Sequence, residues 1–222
     1  MGKEEEKKIA GEKAVEYVED GQVVGLGSGS TVKYFFDALS KRIEEDNLGI
    51  LGVPSSENTR EYCESLGIVT IDIGEAKRVD IAVDGADEVD RKLFMIKGGG
   101  GSHTREKMIA TKAKKFVVIV DSSKMVNVLG KFPVAVEVLQ ELSGLAKKDL
   151  EKLGARVVTR EGFLTDNGNI IFDCYFGDIE KPARLEKKIN DIEGVVDNGL
   201  FSRKADLLIV GRTHGVQFFK RK

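Results

Sequence analysis

From the first residue to Asp121, short apolar runs alternate with stretches whose apolar residues recur every three or four positions, and this alternation restricts the fold more than any other feature. Val23 to Leu26 is one such run. The glycine-rich GLGSGST follows it, and Val32, Phe35, Phe36, Leu39 and Ile43 then mark one face of a helix. The same succession predicts strands at Leu48–Val53, Ile68–Ile71, Val79–Val83 and Phe116–Val120, and helices at Asn58–Leu66 and Thr104–Ala113. Ahead of them Ile9, Ala10, Ala14, Val15 and Val18 predict a helix over Glu4–Asp20 that Gly21 stops. Strands separated by helices pair in parallel, because the helix returns the chain to the end from which the next strand starts. The expectation is an α/β domain with a mostly parallel sheet and helices on its faces.

Beyond Asp121 the order changes. Strand Val134–Val138, helix Leu145–Leu153, strand Arg156–Val158, a hairpin through TDNGN into strand Ile170–Phe176, helix Pro182–Ile192 and strand Val195–Phe201 spell β-α-β-β-α-β, the ferredoxin-like order. Asn167-Gly168 supplies the positive φ of a tight turn, and Pro182 suits the first helical turn, where its missing N–H is not needed. Leu207–Val210, bounded by Asp206 and Gly211, reads as a buried strand returning to the first sheet. The expected division is a discontinuous first domain, residues 1–130 and 205–222, and a second over 131–204.

Composition removes several function classes. Lys and Arg number 35 against 37 Asp and Glu, so there is no cationic surplus for binding a polyanion by counterion release, and no nucleic-acid partner is expected. No apolar run approaches the roughly 20 residues of a bilayer span, and MGKEEEKKIA is too charged for a secretory signal. No membrane partner and a cytoplasmic location are the expectations. Cys63 and Cys174 stand in apolar segments without CxxC spacing, as reduced packing residues do.

Three loops carry chemistry. Gly25 to Thr31 joins a strand to a helix and offers backbone N–H groups, the positive helix end and the hydroxyls of Ser28, Ser30 and Thr31 to a phosphate; the same glycine turn could simply build the junction. A dinucleotide site is disfavoured, since Ser30 replaces the third glycine of GxGxxG and the second strand ends in Val53-Pro54-Ser55 rather than an acid. A P-loop is excluded because no Gly-Lys-Ser/Thr follows. DGADEVD, Asp84 to Asp90, continues a strand, so Asp84 and Asp87, flanking Gly85-Ala86, could aim two carboxylates at one space; solvated acids of a turn are the plain alternative. The DxDxDG order of a calcium loop is missing, and His103 and His214 lack ligand spacing, so no metal is expected. KGGGG, Lys97 to Gly101, is costly to order unless backbone must approach something closely. Its N–H groups could form an anion nest with Lys97 beside it, and Glu106 follows in the next helix; a solvated strand-end charge for Lys97 and favourable placement near the helix dipole for Glu106 are the plain alternatives. All three loops are expected to converge on one sheet edge. Such a set, without thiol nucleophile or flavin motif, does proton transfer on a small phosphorylated molecule.

GLGSGST, DGADEVD, KGGGGSHTREK, SSK at Ser122–Lys124 and LGKFPVAVEV, in this order along essentially the whole chain, resemble ribose-5-phosphate isomerases of the A type. The resemblance implies a Rossmann-like three-layer domain with a small ferredoxin-like lid. It implies interconversion of ribose 5-phosphate and ribulose 5-phosphate in the non-oxidative pentose phosphate pathway, without a cofactor, in homodimers or homotetramers. It further implies substrate binding by Ser28, Gly29, Ser30, Thr31, Asp84, Gly85, Ala86, Asp87, Lys97, Gly98, Gly99, Gly100 and Lys124. Glu106 is the implied acid/base, with Asp84, Asp87 and Lys97 as its catalytic partners. The alternative of a non-catalytic sugar-phosphate sensor needs an output module that these residues do not spell, and has no use for Glu106.

Overall fold

Apolar stripes on helices, buried against strands that are apolar along their whole length, organise the chain. A computed structural model describes residues 2–203 and 205–221. The chain begins with α1 (Lys3–Val15), β1 (Val23–Leu26), α2 (Ser30–Asp46), β2 (Leu51–Pro54), α3 (Glu57–Ser65) and β3 (Val79–Asp84). It continues through β4 (Glu88–Asp90), β5 (Met95–Ile96), α4 (His103–Lys112), β6 (Ala113–Asp121), β7 (Met125–Val126), β8 (Val134–Val138) and α5 (Ser143–Lys152). The last third holds β9 (Arg156–Thr159), β10 (Ile170–Tyr175), α6 (Pro182–Asn190), β11 (Val195–Asn198), β12 (Leu200–Phe201), β13 (Leu207–Arg212) and β14 (Gly215–Lys220). Residues 2–86, 105–124 and 205–221 form one unit, and 87–104 with 125–203 form another.

The first unit is built on a six-stranded sheet of order β14-β13-β6-β3-β1-β2. Of its five pairings all are parallel except that of β13 with the edge strand β14. The parallel strands follow the doubly wound order 2-1-3-4-5, whose switch point lies between β1 and β3; ligands bind at the carboxyl ends of strands there. Val83 and Val117 to Val120 are buried from both sides, which is why these strands read as unbroken apolar runs. On α2 the buried Val32, Phe35, Phe36 and Leu39 each contribute about 1.5–3 kcal/mol, and Asn47 in the left-handed region (φ 53°) ends the helix. α1 is shorter than expected: after Val15 it tightens into i to i−3 turns that still bury Val18. Ile68–Ile71 is not a strand. Its only bridge joins Thr70 to Gly52, and Val69 is 62% exposed. The returning strand at 207–210 is present as β13, and it continues into β14, which the sequence reading missed.

The second unit contains an antiparallel sheet of order β11-β8-β10-β9, the 4-1-3-2 arrangement of a β-α-β-β-α-β chain. Val134, Val136 and Val138 alternate onto the face that packs with Phe172, Cys174, Ala146, Leu150 and Ile189. This unit extends beyond the expected 131–204, taking in residues 87–104 and 125–130, because β4, β5 and β7 pair with β12 in a small sheet of order β12-β5-β4-β7. The expected single strand Val195–Phe201 therefore divides at Gly199, its halves serving different sheets. The domain ends expected at residues 1, 204 and 222 lie outside the described residues. The TDNGN turn is present, with Gly168 at φ 78°. It tips a longer connection than a tight hairpin, since pairing resumes only at Thr159 and Phe172. Among the described residues no helix is long and apolar enough to cross a membrane.

Candidate active site

Two glycines shape the loop between β1 and α2. A Cβ at Gly27 would overlap the Asp84 carboxylate, so only glycine lets β1 and β3 approach at this point. Gly29 sits at φ 107° and caps α2 without a side-chain hydrogen bond, a conformation that L side chains rarely adopt. The uncapped first-turn N–H groups of a 17-residue helix then face outward beside Ser28 and Ser30, which is an anion-binding arrangement.

Asp84, 3% exposed at the end of β3, accepts through Oδ1 from the N–H of Ser28 at 3.1 Å and of Gly85 at 2.7 Å. It ties the first loop to its own turn. The Ser28 hydroxyl in turn donates to Oε1 of Glu106, a 5% exposed side chain in the first turn of α4. Since α4 leads into β6, that turn lies at the carboxyl edge of the parallel strands. Lys124 follows β6 at the same edge, in a short 3-10 turn held by Asp121, whose Oδ1 accepts from Ser123 N–H at 2.9 Å. Beside Glu106 is a crevice too tight for water, lined by Gly27, Ser55, Asp84 and Phe116. Ser55 is fully buried, and its Oγ has no hydrogen-bond partner among the described residues. Ser55 follows β2, the edge strand beside β1, and no motif in the sequence marks it as part of this crevice.

The remaining expected residues belong to the second unit. Asp87 leads into β4, and its Oδ2 accepts the Gly99 N–H at 2.8 Å. Lys97 likewise follows the two-residue β5 of the small sheet, not a strand of the parallel sheet, so the expected single edge for all three loops is corrected. Lys97 is 3% exposed, with its Nζ 5.5 Å from the Phe201 ring centroid and its N–H bonded to Gly199 O at 2.8 Å. Gly98 takes φ 102°, and the turn closes by a Gly101 N–H bond to Gly98 O at 3.0 Å. Gly99 and Gly100 are exposed.

A residue missed in sequence reading is Glu137, 1% exposed on β8. It accepts from the hydroxyl of Thr104, from Thr165 at 2.8 Å, from Asn167 at 3.0 Å and from Asn169 at 2.8 Å. Burial alone would push its carboxyl up, yet the four hydrogen bonds outweigh burial and hold it below the ordinary carboxylate value. Glu137 thereby fixes the TDNGN turn and Thr104 at the start of α4; an acid inside the apolar run VAVEV was the available signal. Burial also pushes the Cys63 and Cys174 thiols up to about 12, which makes them poor nucleophiles. Among the described residues no three His, Cys, Asp or Glu side chains are grouped so as to hold a metal.

The profile of ribose 5-phosphate isomerase A (phosphoriboisomerase A) matches residues 51–215. Ribose-5-phosphate isomerase A of Methanothermobacter thermautotrophicus is 44% identical over 220 residues, covering 96% of this chain and 97% of its own. The chain belongs to the ribose-5-phosphate isomerase A family. Solved members of the family share the whole fold. The Methanocaldococcus jannaschii enzyme superposes with a TM-score of 0.95 at 42% identity, covering 99% of this chain and 100% of its own. A D-ribose-5-phosphate isomerase in complex with phospho-erythronic acid gives 0.96 at 38% identity, with full coverage of both chains. The family's Rossmann-like and ferredoxin-like parts correspond to the six-stranded and the larger antiparallel sheets.

Proposed function

We propose that the chain interconverts ribose 5-phosphate and ribulose 5-phosphate, a step of the non-oxidative pentose phosphate pathway, with Glu106 moving the proton between adjacent carbons. The observation that carries this reading is the buried Glu106 carboxylate hydrogen-bonded to Ser28 of the uncapped glycine loop, which couples a candidate base to a candidate phosphate site. Isomerisation removes the proton from C2, passes through an enediolate and delivers a proton to C1, so one carboxylate on one face of the sugar serves both transfers. Ser28 to Thr31 and Lys124 hold the phosphate, and this remote binding energy is used for positioning C1 and C2. Gly85 and Ala86, in the turn after Asp84, complete the substrate contacts of the first unit. Asp84 and Asp87 assist opening of the furanose ring and relay hydroxyl protons, while Lys97 and the N–H groups of Gly98, Gly99 and Gly100 offset the negative charge that grows on the enediolate oxygens.

The reaction needs no redox change and no metal is assigned to it. Purified protein is expected to convert ribose 5-phosphate at the same rate before and after exhaustive EDTA treatment. Loss of turnover that a divalent ion restores would overturn the metal-free reading, and no turnover under any condition would overturn the activity itself. By the same family resemblance we assign the protein to the cytoplasm, as a homodimer or homotetramer. Cell fractionation with light scattering of the purified protein tests both assignments, and a membrane-bound or purely monomeric protein would contradict them.

A further inference from the structure

Arg160 lies in the connection between β9 and β10, outside every motif discussed so far. Its Nε and Nη2 grip the Asp173 carboxylate of β10 at 3.1 and 2.5 Å, and both side chains are less than one-fifth exposed. The fork geometry leaves Nη1 pointing along a fixed direction. That nitrogen donates to two glycine carbonyls at once, Gly98 O at 3.2 Å and Gly99 O at 3.3 Å. The Phe163 ring, 5.5 Å from the guanidinium carbon, packs beneath it and also fills the space a Cβ at Gly101 would need.

The consequence follows from peptide geometry. A trans peptide points its N–H opposite to its C=O. The Gly98–Gly99 peptide is therefore held at both ends, its carbonyl by Arg160 and its N–H by the Asp87 carboxylate. The next peptide has its carbonyl on the same guanidinium, which turns the Gly100 N–H the other way, at a position where even an added Cβ would meet nothing within 4 Å. Without such a clamp, consecutive glycines sample many conformations and ordering them costs entropy at each turnover.

We propose that Arg160, anchored by Asp173, is a positioning residue for isomerisation: it fixes the glycine turn so that the Gly100 N–H is directed at the oxygen on which enediolate charge develops. The proposal rests on the activity assigned above, and turnover by the unaltered enzyme tests that assignment separately. Preorganised donors act in the transition state more than in the ground state, so the signature is a split between kcat and KM. Arg160→Met is expected to lower kcat about 10²-fold, the scale of a misplaced reacting group, while KM for ribose 5-phosphate stays within about threefold. Its affinity for phospho-erythronic acid, whose carboxylate presents the planar anion of an enediolate, is expected to fall in proportion to kcat/KM. Asp173→Asn, which keeps the guanidinium but loosens its anchor, is expected to give the same pattern more weakly, and it supplies the reading if Arg160→Met fails to fold. Arg156→Met is the control. Arg156 stacks on Tyr175 at 3.9 Å in the neighbouring strands and has no bond to the glycine turn, so its kcat is expected to be unchanged. A kcat within twofold of the parent in whichever of Arg160→Met and Asp173→Asn is folded, or an equal loss in Arg156→Met, would overturn the proposal.

Discussion

Replacing Glu106 by Gln is expected to reduce kcat by about 10²–10⁴-fold, which is about 2.7–5.4 kcal/mol of transition-state stabilisation. Gln keeps the volume and can still accept the Ser28 hydroxyl hydrogen bond seen in the folded protein, so the β1 loop and phosphate affinity should survive. What disappears is the ability to take a proton from C2. Two measurements separate this from a folding defect. The thermal midpoint of Glu106→Gln should lie close to that of the parent, and solvent hydrogen exchange at C2 should vanish together with turnover. A variant that still exchanges the C2 hydrogen at the parental rate would remove Glu106 from the reaction and leave it a buried helix-start acid.

Lys97→Met is expected to show the second-largest effect, a fall of about 10²–10³-fold in kcat, the range for loss of one charge-stabilising donor. Met retains most of the aliphatic stem while removing the ammonium that lies 5.5 Å from the Phe201 ring centroid, so the change is chiefly one of charge. If Lys97 stabilises the enediolate, the loss falls on kcat, because an interaction equal in substrate and transition state leaves turnover untouched. Lys124→Met makes the contrast. Lys124 is partly exposed on a turn after β6, and a lysine that meets mainly phosphate should raise KM, by about tenfold, and leave kcat within about threefold. Steady-state kinetics on both variants decides the matter: unchanged kcat with raised KM in Lys97→Met would reduce Lys97 to a binding role.

Much of this site was readable before any coordinates. The strand–glycine–helix succession around Gly25–Thr31 and the strand running into Asp84 already pointed to a parallel sheet and put candidate ligand groups at its carboxyl edge, because local periodicity and chain reversal are near-neighbour properties. The β-α-β-β-α-β order after Asp121 was readable for the same reason. Lys97 and Glu106 stood out in and after the glycine run, and the motif resemblance added Lys124 and the implied roles.

Only the tertiary structure decided how these pieces are shared. Two- and three-residue strands such as β4, β5 and β7 carry no periodic signal, so nothing local showed that residues 87–104 pair in a small sheet of their own rather than in the parallel one. Nor did spacing show that one oxygen of Asp84 is committed to the Ser28 and Gly85 amides, or that Arg160 reaches back across 61 and 62 positions to two glycine carbonyls. The sequence by itself determined the longer elements, those with an apolar period or run, and the residue types offered for chemistry. Which hydrogen-bond donor meets which acceptor was decided by long-range strand pairing, since partners distant in the chain meet only after the apolar strands between them have been buried.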